Sequence, residues 1–259
     1  MFDSHCHLNF QVFSETYDKV IASAKARGVT HIMIPGTDIE TSKKAILITQ
    51  DYLNLFASVG IHPTKDLEAI DLDKTMYILA ELLANAKVKA IGEIGLDYYH
   101  YRSPSKIQKL FFLAQIKLAL KLEKSVIVHN RHAGDDLLKV LDDIWQDYFE
   151  KKMVFHCCEV NYAVLSFATT KKVFIGVDGD VTYDKTKQEF IQKVPLESLV
   201  IETDSPYITP EPFRSQKVFP NEPKNIVFIA QKVAEIKKVS LETVISHTTK
   251  NACDLFQLT

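Results

Sequence analysis

The sequence predicts a single-domain (β/α)8 TIM barrel with its active site at the C-terminal ends of the strands. Three observations lead there: eight short β-branched and aromatic runs, helical periodicity between them, and polar residues gathered where the runs end. The runs are FDSHCH near the N-terminus, THIMIPG (30–36), LFASVGIHP (55–63), AIGEIGLD (90–97), SVIVHN (125–130), MVFHCC (153–158), VFIGVDG (173–179) and LVIETDSP (199–206). Their length and composition suit buried strands. Helical periodicity covers 14–27, 40–52, 74–86, 104–122, 134–150, 161–170 and 184–193, and further helix follows residue 224, including 241–256. The clearest helix, 104–122, is expected to take Ser103 as N-cap with Pro104 in its first turn. Strand–helix alternation of this kind builds a parallel sheet with right-handed crossovers, and eight units fit a closed barrel. A doubly wound open sheet is the rival, but no G-x-G-x-x-G or G-x-x-x-x-G-K-[ST] occurs to support a nucleotide fold. No linker or low-complexity tract divides the chain, so residues 1–259 read as one domain.

Composition narrows the functional classes. With 46% apolar residues the 259-residue chain can bury a large core. A net charge of −2 supplies no global basic field, so a polyanion would be held by a local patch or by bound metal. Four cysteines (Cys6, Cys157, Cys158, Cys253) form no C-x-x-C and no regular spacing, which points to reduced thiols in a cytoplasmic protein. The start lacks the basic and apolar regions of a signal peptide. No apolar run approaches the roughly 20 residues of a membrane span. A soluble cytoplasmic protein without membrane contact is expected; no obligate protein partner is evident and the oligomeric state is open.

The strand ends carry the chemistry. His5 and His7 end the first run, His62 the third, Glu93 lies in the fourth, His129 ends the fifth, His156 the sixth, Asp178 the seventh and Asp204 the eighth. A side-chain period of two turns His5 and His7 the same way, into the barrel, while Cys6 faces a helix. Each residue alone has a structural explanation: a satisfied buried histidine, a structural carboxylate, an N-cap. Jointly, several imidazoles and carboxylates in one barrel mouth cost several kcal/mol of desolvation that a shared divalent cation compensates. His31 begins a strand at the opposite end and His247 lies on a late helix, so both read as structural. His100 and His132 sit near the top loops, within reach of substrate, and Cys157 and Cys158 read as packed thiols.

The stretches DSHCHL, GIHP, IGEIGLDYY, SPSKIQKLFFLAQIKLA, VIVHNRHA, IETDSPYITP and HTTKNACDLF, in this order, resemble the TatD-type metal-dependent deoxyribonucleases of the amidohydrolase-like barrel superfamily. The resemblance covers essentially the whole chain, and H-x-H followed by GEIGLDYY and ETDSPY is its specific part. It implies a two-metal site in which His5, His7 and Asp204 hold one ion, His129 and His156 hold the other, and Glu93 bridges. Ions roughly 3.5–4 Å apart can clamp attacking and leaving oxygens and activate a water. Asp204 is the candidate to orient that water and take its proton. The resemblance places His62 at the substrate phosphate and makes Arg131 and Arg214 phosphate contacts. Tyr98, with Tyr99, Tyr101 and Arg102, suits stacking of single-stranded bases. Magnesium or manganese is the expected functional ion, whereas four imidazoles suit zinc, iron or nickel as bound species.

Three departures from the family pattern fall in substrate-facing loops: Glu159 in HCCEVN, Asp178 in GVDGD, and the altered stretch in PEPFRSQKVFPNEP. The expected function is therefore hydrolysis of phosphodiesters, acting on DNA ends, frayed ends or single strands. The alternative keeps the bimetallic centre for an ester, a lactone or an aminoacyl-tRNA. A non-catalytic metal-binding scaffold is the third reading.

Overall fold

Strands and helices alternate from Phe2 to Leu255 in the computed structural model, which describes residues 1–258. β1 (Phe2–Asp3) leads to α1 (Tyr17–Ala26), β2 (His31–Pro35) to α2 (Ile39–Thr49), and β3 (Leu55–Val59) to α3 (Leu72–Leu83). β4 (Val88–Asp97) leads to α4 (Ser105–Lys121), β5 (Ser125–Arg131) to α5 (Gly134–Ile144), and β6 (Met153–Phe155) to α6 (Tyr162–Lys171). β7 (Phe174–Val177) precedes α7 (Lys185–Lys193), and β8 (Leu199–Ile201) is followed by α8 (Ile226–Lys237) and α9 (Leu241–Leu255).

Each strand pairs parallel with the next, in chain order, from β1 to β8. The seam between β8 and β1 is drawn together by Ser4 N donating to Ile201 O (3.1 Å), Asp204 N to His5 O (2.9 Å) and His7 N to Ser205 O (2.8 Å). The Asp3 carboxylate reinforces it, accepting from Thr203 N at 2.9 Å and Thr203 Oγ1 at 2.7 Å. The fold is a nearly closed (β/α)8 barrel, as the sequence predicts.

Two apolar layers hold it. Inside the barrel, Phe2, Met33, Ala90, Ile127, Val154, Phe174 and Val200 form a floor, plugged by Leu255 and Phe256 at the end of α9. Outside, a larger cluster fills the space between sheet and helices, and Cys6 belongs to it. Strands buried on both faces explain the continuous apolar runs.

Local differences from expectation have local causes. Regular pairing of β1 stops at Asp3, and only an isolated bridge at Cys6 with Ser205 continues it, because the backbone then turns through Leu8 N to Cys6 O. Pro104 itself takes the cap position of α4. Ser103 is occupied elsewhere, accepting from Leu67 N at 3.0 Å and donating to Lys65 O at 3.1 Å. α5 ends at Ile144, six residues before the expected boundary, where the chain turns and Trp145 packs edge-on against Phe167. Among the described residues no helix is long and apolar enough to cross a membrane.

Candidate metal centre

The C-terminal ends of the strands open into a cavity of 1590 Å³ whose wall includes His7, His62, Glu93, His129, His156 and Asp204. The loops that carry these groups are pinned from behind. On α4, Gln115 accepts from Ile61 N (2.7 Å) and donates to Ile61 O (3.2 Å), fixing the turn that presents His62. One face-repeat earlier, Gln108 does the same for Asp97, accepting from its N (2.8 Å) and donating to its O (3.0 Å). Asn221 donates to Thr203 O and Tyr207 O, at 3.0 and 2.8 Å, and so brackets Asp204. Asp204 has a positive φ of 49°, a region aspartate tolerates better than most residues.

Glu93 stands at the centre and divides its two oxygens. Oε2 faces His5 Nε2 (3.4 Å) and His7 Nε2 (3.6 Å), while Asp204 Oδ1 lies 3.8 and 3.5 Å from the same two nitrogens. Oε1 faces His156 Nε2 at 2.7 Å, His129 Nδ1 at 2.9 Å and His62 Nε2 at 3.1 Å. His5 Nε2 and His7 Nε2 are only 3.2 Å apart. Three donor groups result: His5–His7–Asp204, His5–Glu93–His156 and His62–Glu93–His129.

This donor set fits divalent metal. Ligand atoms about 2.1 Å from one ion at tetrahedral angles lie roughly 3.4 Å from each other, which is the scale of the separations here. Neutral imidazoles meeting nitrogen to nitrogen can satisfy one another only if one donates, whereas a cation accepts both lone pairs. The arrangement is that of a metal-holding mouth.

Comparison with known proteins agrees. The family described as TatD related DNase matches residues 2–257. The chain belongs to the TatD family. It is similar to the uncharacterized metal-dependent hydrolase YabD of Bacillus subtilis, at 34% identity over 261 residues, covering 100% of this chain and 99% of that one. Among solved structures it is similar to the TatD homologue YJJV of Escherichia coli, with a TM-score of 0.89, 28% identity, and coverage of 100% and 98%. A TatD family hydrolase from Entamoeba histolytica gives a TM-score of 0.87 at 26% identity, with coverage of 100% and 98%. The chain is thus a TatD-family metal-dependent hydrolase.

In this TatD-family mouth, electrostatics follow burial and pairing. Burial opposes the ionised Glu93, but His156 and His62 beside it hold its carboxyl well below the usual range. Burial likewise opposes His156, and Glu93 and Glu202 outweigh it, raising the imidazole well above its ordinary value. Burial lowers His5 and His7, and it pushes Asp204 well up. Metal and protons compete for these lone pairs. His62 differs: burial takes it down to about 4, so it is neutral near pH 7. Its Nδ1 accepts from Thr64 N at 3.2 Å, which places the ring proton on Nε2, the nitrogen facing Glu93. A protonated Nε2 donates hydrogen bonds and offers no lone pair to an ion, so His62 drops out of the third donor group and leaves Glu93 and His129 there.

Two carboxylates behind the donors escaped the sequence reading. Asp97 Oδ2 lies 3.1 Å from His129 Nε2, leaving Nδ1 to face Glu93. Glu202 lies behind His156 as a charge rather than a hydrogen-bond partner: its Oε1 is 3.6 Å from Nδ1 and accepts from Cys157 N, and its Oε2 accepts from Ser4 Oγ at 3.0 Å. Such outer carboxylates orient imidazole ligands and raise their basicity. The signal was available: 97 follows 93 by two strand periods, and 202 precedes 204 by one. A glycine makes room for Glu202: a Cβ on Gly176 would meet its Oε1 at 2.4 Å. Another lets β4 approach the backbone of β5, since a Cβ on Gly95, at φ 151°, would meet His129 O at 1.9 Å.

The remaining expected contacts divide. Arg131 lines the cavity with its guanidinium 4.4 Å from the Tyr99 ring centre, and His100, Arg102 and His132 line the same side. Tyr98 does not line it, because its hydroxyl turns outward to Asp136 Oδ2 at 2.7 Å. Arg214 is also outside the lining, stacked 4.0 Å from the Tyr183 ring with Glu211 Oε1 at 3.8 Å. Asp178 is fully buried and caps a turn by accepting from Asp180 N at 2.9 Å, so Asp180 is the carboxylate that reaches the wall. Glu159 lines the cavity and accepts from His132 N at 2.9 Å.

Proposed function

We propose that this protein hydrolyses phosphodiester bonds of DNA at ends or in single strands, with two divalent cations. His5, His7 and Asp204 hold one, His129 and His156 the other, and Glu93 lies between. The observation that carries this reading is the division of Glu93, Oε2 toward His5 and His7, Oε1 toward His129 and His156. Two divalent ions, when bound, supply Lewis acidity to the phosphoryl oxygens and lower the pKa of a water. With Glu93 and Asp204 ionised, the centre retains a formal charge of about +2, which gives a phosphodiester its place on a chain whose net charge is −2. Asp204, at the open edge, orients the attacking water and takes its proton. His62 donates from Nε2 to a non-bridging oxygen or to the leaving oxygen. Arg131 offers a fixed charge from the cavity side while its plane rests on Tyr99. Magnesium or manganese suits the phosphoryl chemistry; zinc, iron or nickel suits the imidazole-rich donor set as bound species.

The test is shortening of end-labelled single-stranded DNA with Mg2+ or Mn2+ added, with Glu93→Ala reduced to background. Metal-dependent cleavage no greater than that of Glu93→Ala would contradict it. Asp180 favours a second reading. Burial, with Asp178 beside it, pushes this wall carboxyl up to about 8. A carboxyl held largely protonated near pH 7 donates a hydrogen bond without adding negative charge, which suits the carbonyl of an ester such as a lactone or an aminoacyl-tRNA. Turnover across a panel of esters, lactones and aminoacyl-RNA, with none on DNA, would select that reading.

A further inference from the structure

Beside the metal-holding mouth runs a groove of 740 Å³ that shares Phe10, Thr41 and Tyr207 with the wall of the central cavity. One side of it is the outward face of α2, where Glu40, Lys43, Lys44 and Leu47 fall at helical neighbour spacing. The other side is aromatic. The Phe10 ring stacks 4.2 Å from the ring centre of His7, and Tyr207 meets Phe10 edge-on at 6.2 Å. Phe219 continues this side outward. These apolar groups are open to solvent: Leu47 is 63%, Tyr207 51% and Phe219 64% exposed.

We infer that this groove carries the single-stranded stretch of nucleic acid adjoining the phosphate at the metal centre. The inference rests on the phosphodiesterase reading above. Rings beside ammonium groups match the two faces of a single strand, whose bases stack on aromatics while its phosphates meet cations. A duplex has its base faces already stacked and offers the rings nothing. The exposed Glu40–Lys43 pair, at 3.1 Å, is weakly held and yields to a phosphate. Continuity fixes the direction: Phe10 stands on His7, so a base at Phe10 is next to the nucleotide whose phosphate the centre holds.

The probe is a fluorescein-labelled phosphorothioate oligothymidylate of about a dozen nucleotides, bound to the metal-loaded protein and followed by anisotropy. Turnover of bis(p-nitrophenyl) phosphate, which has no strand to bind, is measured in parallel. Lys43→Glu with Lys44→Glu is expected to weaken oligonucleotide binding about tenfold or more and to reduce the salt slope by about 1.4, the value for two lost phosphate contacts. Phe219→Ala is expected to weaken it about fivefold or more. Both variants should hydrolyse the small diester at the wild-type rate. Unchanged oligonucleotide affinity in both variants overturns the inference, as does a wild type that binds no oligonucleotide. So does a wild-type dimer that Phe219→Ala makes monomeric without altering affinity, which assigns the groove to a second copy of the chain. Weakened binding in the variants, with no phosphodiester turned over by any preparation, supports the groove and removes the phosphodiesterase reading instead.

Discussion

At the floor of the barrel, Phe2, Ile127, Val154 and Val200 point inward and close against Phe256; two residues further along the same strands, Ser4, His129, His156 and Glu202 occupy the equivalent inward positions. One side-chain period therefore separates a self-complementary apolar layer from a layer of donors and acceptors. The floor satisfies itself with dispersion and burial. The mouth does not, since its nitrogens and carboxylates converge on one another and their best common partner is a cation. Stability and chemistry are thus stacked along one set of strands. A change in either layer should be readable without disturbing the other.

The largest effect is expected at Glu93. Glu93→Ala should remove metal-dependent hydrolysis entirely while leaving the far-ultraviolet circular dichroism of the barrel intact; a collapsed spectrum would mean that mouth and floor are not separable. At the floor, Phe256→Ala should cost about 3–5 kcal/mol of stability, as truncation of a fully buried phenylalanine does. Denaturant unfolding measures it, and specific activity of the remaining folded protein should stay at the wild-type level. A folded but inactive Phe256→Ala would break the comparison.

Smaller effects sharpen it. Glu202→Gln and Asp97→Asn keep the shape behind His156 and His129 but remove the charge that orients them. Each should lower metal affinity or turnover about 10–100-fold, followed by metal titration of activity. Activity within twofold of wild type in both would show that these carboxylates serve the fold alone. Least affected should be Tyr98→Phe, which loses one hydrogen bond to Asp136 worth about 1 kcal/mol and leaves hydrolysis unchanged.

The two layers also differ in how well they can be read from sequence. The floor and the strand order follow from short apolar runs and their spacing, because burial on both faces leaves a continuous signal. His5, His7, Glu93, His129, His156 and Asp204 are legible because polar residues at strand ends interrupt that signal, and the structure brings them together around Glu93. Asp97 and Glu202 are missed because the sequence reading takes a single carboxylate from the fourth strand and a single one from the eighth, although period two puts 97 on the face of 93 and 202 on the face of 204. Tyr98 and Arg214 lie outside the cavity lining for another reason. Their loops pass the mouth, but where a loop side chain points depends on partners such as Asp136 and Tyr183, which come from distant segments. Ser103 shows the same limit, since Leu67 N and Lys65 O claim the hydroxyl that helix capping would use.

A Mn2+ titration of the metal-free protein followed by electron paramagnetic resonance tests the metal centre most directly. The account predicts two ions per chain with an exchange-coupled spectrum, the signature of neighbouring ions sharing Glu93, and its loss in Glu93→Ala. A single bound ion, or two that give only isolated spectra, would contradict it.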